Sequence, residues 1–159
     1  MVRLREVMDA LTIGDPFRCF FDRAADEVVW AAEDELAVAD AMEDGADLAE
    51  TASRTESGMV EALELAVRIV SDDGSSFVAL PSQWDVHEYA IMQDFADSLP
   101  ESEARHSIMR GLRGSGVFRR FKNNVHRLDL AEAWYAFRDE RLAEIAHEWA
   151  EDNGITFAP

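Results

Sequence analysis

FRCFFDRAADEVVWAA, residues 17–32, sets two short runs of aromatic and β-branched residues on either side of the polar turn Arg23–Asp26. That composition suits a pleated, half-buried surface and predicts a β-hairpin. Together with strand-like runs further along, it sets the expected fold class as α+β. The hairpin also holds Cys19, the single cysteine. Between Phe17, Phe20 and Phe21 its thiol is expected to act as a small hydrophobe, and a lone cysteine fits a reducing compartment.

On the N-terminal side, Leu4, Val7, Met8 and Leu11 recur at helical spacing within residues 3–11, and Gly14, Asp15 and Pro16 stop that helix. On the C-terminal side, residues 33–44 return to helical character, with Leu36, Ala39 and Met42 or Ala41 inward, and open a run of eight acids without a base between Glu33 and Glu50. Residues 45–58 are rich in Ala, Ser, Thr and Gly without sustained periodicity and are expected to form a flexible connection. A short helix over 60–65 follows. VRIV (67–70) and FVAL (77–80) then predict two more strands about a turn at Asp73 and Gly74, which makes a small antiparallel sheet of three to four strands.

Past Pro81 the period becomes 3.6. Ser82 and Asp85 have the form of a capping box, with Ile91, Met92, Phe95 and Leu99 on one face of the helix it opens. Further helices are expected from Pro100 to Gly111, from Val117 to Leu128, and from Asp129 to a stop at Asn153 and Gly154. The expectation is therefore one domain over residues 1–159: an α/β part over about 1–80, then an all-helical half over about 82–153 packed on it.

The chain carries 15 Lys and Arg against 33 Asp and Glu, a formal net charge of −18, and only one of its bases is lysine. Such a balance excludes binding nucleic acid or anionic membrane through the whole surface. No apolar run reaches the ~18 residues that would span a bilayer, and the charged N-terminus lacks a signal peptide's apolar stretch, so a cytoplasmic protein with no membrane partner is expected.

Two segments, LPSQWDVHEYAIMQDFADSL (80–99) and GSGVFRRFKNNVHRLDLAEAWYAFRDERLAEIAHEWAEDNGI (114–155), resemble the bacterial Uncharacterised Protein Family 0158. The likeness rests on the Leu-Pro-Ser and aromatic-Asp-x-His-Glu-Tyr run, the Gly-x-Gly-x-Phe-Arg-Arg-Phe-Lys run and Trp-Tyr-x-Phe-Arg. It extends weakly into the first half, and Val117 stands where a small residue is usual. The resemblance implies a cytosolic bacterial protein and supplies no catalytic residue.

Seven of the 15 basic residues lie between Arg105 and Arg127, a stretch without a single acid. In helical projection Phe118, Phe121, Val125 and Leu128 form a packing face, Arg119, Arg120, Asn123 and Arg127 point away, and Lys122 and His126 lie at the flank. Read structurally, this is an amphipathic helix whose bases could pair with acidic helix 33–44. Read functionally, Gly111, Gly114 and Gly116 let backbone approach a ligand, the helix start offers free amides, and Arg113, Arg119, Arg120 and Lys122 offer cationic donors to an anion or phosphate. Arg138, inside the stripe Trp134, Leu142, Ile145 and Trp149, either pairs with an internal carboxylate or ring face, or borders the same cleft. The GLRG tetrapeptide has the form of a KH-domain GXXG loop, but a long helix stands where that fold needs a strand.

Catalytic signatures are weak. His87-Glu88 and His147-Glu148 lack the second histidine of a zinc protease, which would stand at Ile91 or Glu151, and no nucleophile elbow or Walker loop occurs. Asp85, His87 and Glu88 form a secondary candidate cluster for a metal-dependent phosphoester hydrolase. The leading expectation is a non-enzymatic binding module, with neither metal nor cofactor, that contacts a phosphate-bearing or acidic partner, nucleic acid included, through residues 111–127. The alternative is a protein-interaction or adaptor protein acting through the acidic helix 33–44.

Overall fold

The computed structural model describes residues 1–159 and sets β1 (Phe17–Asp22) at the centre of a three-stranded sheet, between β2 (Glu27–Ala32) and β3 (Phe77–Ala79). Both pairings are antiparallel, with Phe21 opposite Val28 on one side and Val78 on the other. Because side chains alternate along a strand, the adjacent Phe20 and Phe21 enter different cores. Phe21 joins the larger core with Leu80, Ile91, Phe95 and Trp149, while Phe20 joins a smaller one with Ala31, Leu36, Leu63 and Phe77. Both sheet faces are thus covered by helices, which makes the fold α+β.

The smaller core is closed by α2 (Glu33–Asp40), α3 (Leu48–Ala52) and α4 (Val60–Val70). Here the expected strand at 67–70 is corrected: VRIV is the last turn of α4. Val60, Leu63, Val67 and Val70 keep one helical face without a breaker, and Leu63 and Ala66 are completely buried beneath the sheet. The chain turns only at Asp72, whose carboxylate accepts hydrogen bonds from the backbone N–H of Gly74, Ser76 and Phe77 at 2.9, 3.1 and 3.0 Å. Those bonds, the one from Phe77 foremost, hold its acidity below the ordinary carboxylate value. Arg68 of α4 reaches buried Asp22 of β1 at 3.1 Å. The connection 45–58 contains α3, capped by Asp47 accepting from the Glu50 N–H at 2.8 Å, and buries Thr51, Ala52 and Thr55.

The larger core is roofed by α1 (Leu4–Ala10), α6 (Glu88–Ser98), α7 (Glu103–Gly111), α8 (Val117–Arg127) and α9 (Ala131–Asp152). The capping box at Ser82 forms, with the Asp85 carboxylate accepting from the Ser82 N–H at 2.8 Å, but it opens only the single turn α5 (Gln83–Val86). His87, at φ +50°, separates that turn from α6 and leaves Trp84 79% exposed. The helical half is fixed to the sheet where Trp149 Nε1 donates to the Ala79 carbonyl at 2.9 Å. Deeper in, Phe121 of α8 meets Trp134 of α9 edge-on with ring centres 4.6 Å apart, and Phe95 of α6 stands 5.4 Å from the same indole. This contact sets the rotation of α8, and with it the face that α8 turns to solvent. Cys19 lies half-buried, its thiol donating to the Ala10 carbonyl at 3.7 Å, and desolvation pushes its pKa up.

Candidate functional site

Helices α7 and α8 meet through Leu112–Gly116, a loop whose shape follows from its glycines and one arginine. At Gly111 the helices approach so closely that a Cβ would stand 2.7 Å from Asn124 Nδ2. Leu112 is buried, and its carbonyl accepts from the Tyr89 hydroxyl at 2.7 Å. Gly114 and Gly116 lie at φ +77° and +71°, and Gly116 begins α8 with no side chain to cap it. Arg120 then reaches back one turn. Its Nε donates to the Gly111 carbonyl at 3.2 Å, while its two terminal nitrogens donate to the carbonyls of Arg113 and Ser115.

The chemical consequence is a sorting of donors from acceptors. The carbonyls of residues 111, 112, 113 and 115 are occupied from within, whereas the N–H groups of residues 113–119 bond to no acceptor in the protein. A surface of free donors at the positive end of a helix attracts anions and offers little to cations.

The side chains reinforce it. Seven of the chain's 15 Lys and Arg have a carboxylate within 4.0 Å; of the other eight, five are Arg113, Arg119, Arg120, Lys122 and Arg127. Arg113, Arg119, Lys122 and Arg127 are exposed, and Arg127 also donates to Asn124 Oδ1 at 3.3 Å. Arg105 and Arg110, earlier in the stretch, pair with Glu101 and Glu103, each at 3.3 Å. No ion pair joins α8 to α2, so pairing does not explain the clustered charge. Arg120 is a loop staple and not a free ligand group. Arg138 Nε donates to Glu88 Oε1 at 2.9 Å, tying α9 to α6, so of its two alternatives the internal carboxylate partner is the one present. Phe118, expected on the packing face, is 59% exposed; Val117 takes that place.

Against this geometry the comparisons can be set. The uncharacterised protein family UPF0158 matches residues 61–159. The chain belongs to this family. It is 35% identical over 66 residues to UPF0158 protein PA5073 of Pseudomonas aeruginosa, a stretch covering 41% of this chain and 43% of that relative. No solved structure matches the chain. The UPF0158 match encloses the whole acid-free stretch and α4 from Glu61 onward, and leaves the hairpin and α2 outside.

Elsewhere in this UPF0158 chain the other candidate residues are committed to structure. Asp85 is held below the usual carboxylate range by hydrogen bonds from Ser82, and Glu88 is paired with Arg138. His87 forms the left-handed joint before α6, and nowhere do three His, Cys, Asp or Glu side chains converge as metal ligands. On the acidic helix, Asp34 accepts from the Glu56 N–H at 2.7 Å, and buried Glu35 accepts from the Ser57 hydroxyl at 2.7 Å. Both serve to dock the 55–58 segment. Sequence reasoning missed Tyr89 as the anchor of the loop; the hydroxyl's reach to a carbonyl 23 residues away has no local signature. No helix is long and apolar enough to cross a membrane.

Proposed function

We propose that this protein is a non-enzymatic, cytoplasmic binding module that takes a phosphate-bearing partner on the 113–119 amides and on Arg113, Arg119 and Lys122. One observation carries the proposal: four exposed cations stand without carboxylate partners beside a loop of free N–H donors, in a chain whose net charge is −18. In so acidic a molecule these cations stand apart from its carboxylates, and a guest anion supplies the partner that the fold does not. Arg113 and Arg119 offer forked donors to phosphate oxygens, and Lys122 adds a point charge. The chain's single cysteine, Cys19, is half-buried and serves as a small hydrophobe, a usage that accords with a reducing compartment.

The test is fluorescence anisotropy with a labelled inorganic polyphosphate chain at about 50 mM salt, a range in which phosphate contacts dominate affinity. Arg119→Ala/Lys122→Ala should bind about tenfold more weakly than wild type, whereas Arg18→Ala, an unpaired arginine on β1, should bind as wild type does. Equal binding by wild type and the double variant would remove the proposal.

A further inference from the structure

Phe118 is the feature that phosphate binding leaves unused. It is the second residue of α8, 59% exposed, on a helix whose other exposed residues are polar. At about 100° per residue, Phe118, Lys122, His126 and Arg119 fall within an arc of about 100°, so an aromatic ring and two cations share one helix face. Beside it lies a shallow depression of about 580 Å³ lined by Tyr89, Leu112, Arg113, Gly114, Val117 and Phe118. Its lining is mostly apolar and brings two aromatic residues and Arg113 together on one open surface.

A ligand of phosphate alone would use the cations and gain nothing from the ring. A ligand that alternates phosphates with flat π-faces would use both. We infer that the partner is single-stranded nucleic acid, with a base stacked on Phe118 over the depression while the flanking phosphates meet Arg113, Arg119 and Lys122; this rests on the phosphate-binding reading above. Base–aromatic stacking needs an unpaired base, because the faces of duplex bases are already stacked. The charge distribution favours the same choice. Residues outside 105–127 carry a net −25, which repels a broad duplex and leaves room for a strand following one narrow strip.

Anisotropy with labelled 12-mers of RNA and DNA, the corresponding duplexes, polyphosphate and poly-glutamate tests the inference. Wild type should bind a single strand more tightly than its duplex or either polymer, the tighter of the RNA and DNA arms naming the strand. Phe118→Ala should lower single-strand affinity about tenfold, the scale of one lost stacking contact, leave polyphosphate affinity unchanged, and be rescued by Phe118→Trp. The exposed position of Phe118 keeps these variants folded, which circular dichroism checks. Unchanged single-strand binding in Phe118→Ala, with loss in Arg119→Ala/Lys122→Ala, would overturn the stacking and leave the phosphate site standing. Tighter binding of duplex or poly-glutamate would also overturn it. Failure of every probe to bind would remove both proposals.

Discussion

Arg119 and Arg120 are neighbours on the polar side of α8, and nothing in a helical projection separates them. The fold does so completely: Arg119 faces solvent, while Arg120 turns back to hold the carbonyls of Gly111, Arg113 and Ser115. A planar guanidinium spreads its N–H donors over three nitrogens, one for each of these carbonyls, whereas an ammonium donates from a single atom at the end of a shorter reach. Arg120→Lys should therefore lower stability by about 1–2 kcal/mol in urea unfolding, the scale of lost hydrogen bonds to a charged donor, although net charge is unchanged. Arg119→Lys should leave the unfolding curve where it is. If both variants unfold alike, the staple contributes nothing. The same pair shows how far the site was legible. The acid-free run announced the cations, since charge counts need no geometry. Their division into a structural arginine and free ones was not legible, because it depends on a loop bent by left-handed Gly114 and Gly116. Nor could the sequence choose between the two roles of Arg138, whose partner Glu88 lies 50 residues away.

At the scale of elements, α8 is placed by one ring. Phe121 is 3% exposed and sits edge-on to Trp134, whereas Phe118, three residues earlier, stands in water. Phe121→Ala should cost about 3–5 kcal/mol, the usual penalty for emptying an aromatic site in a core. Phe118→Ala should change stability by less than about 0.5 kcal/mol, as surface substitutions do. Denaturant midpoints of the two variants measure the contrast, and comparable losses would mean that α8 is rotated otherwise than described. The sequence pattern placed four apolar residues on a packing face, but α9 and α6 meet the arc centred on Val117, Phe121, Val125 and Leu128. A projection shows which residues are neighbours on a helix, and only the partner helices decide which of them are covered. Helix α4 gives the converse case. The β-branched run VRIV has strand propensity over its four residues, while the helical period from Val60 runs over eleven and buries Leu63 and Ala66 against the sheet. The hairpin was legible for the opposite reason, since its alternation, turn and aromatic content all agreed.

For the whole molecule, the net charge of −18 acts on folding and on binding with opposite signs. Most carboxylates stand on the surface and repel one another in the compact state, so screening them favours the fold. The Debye length falls from about 30 Å at 0.01 M salt to about 10 Å at 0.1 M, shorter than the distance across the domain. The melting temperature should accordingly rise over that interval. Binding at the basic strip should weaken over a similar range, because each phosphate neutralised by Arg113, Arg119 or Lys122 releases counterions that added salt holds in place. With about three such contacts on a single strand, the affinity should fall by roughly an order of magnitude between 50 and 200 mM. Measuring both in one buffer series makes the test strict. A melting temperature that rose while affinity fell would show that the loss of binding is electrostatic and local, since the protein is then better folded at the salt concentration where it binds worse. Affinity indifferent to salt would mean that the unpaired cations do not meet phosphate, and a melting temperature falling with salt would mean that carboxylate repulsion is not what limits this fold.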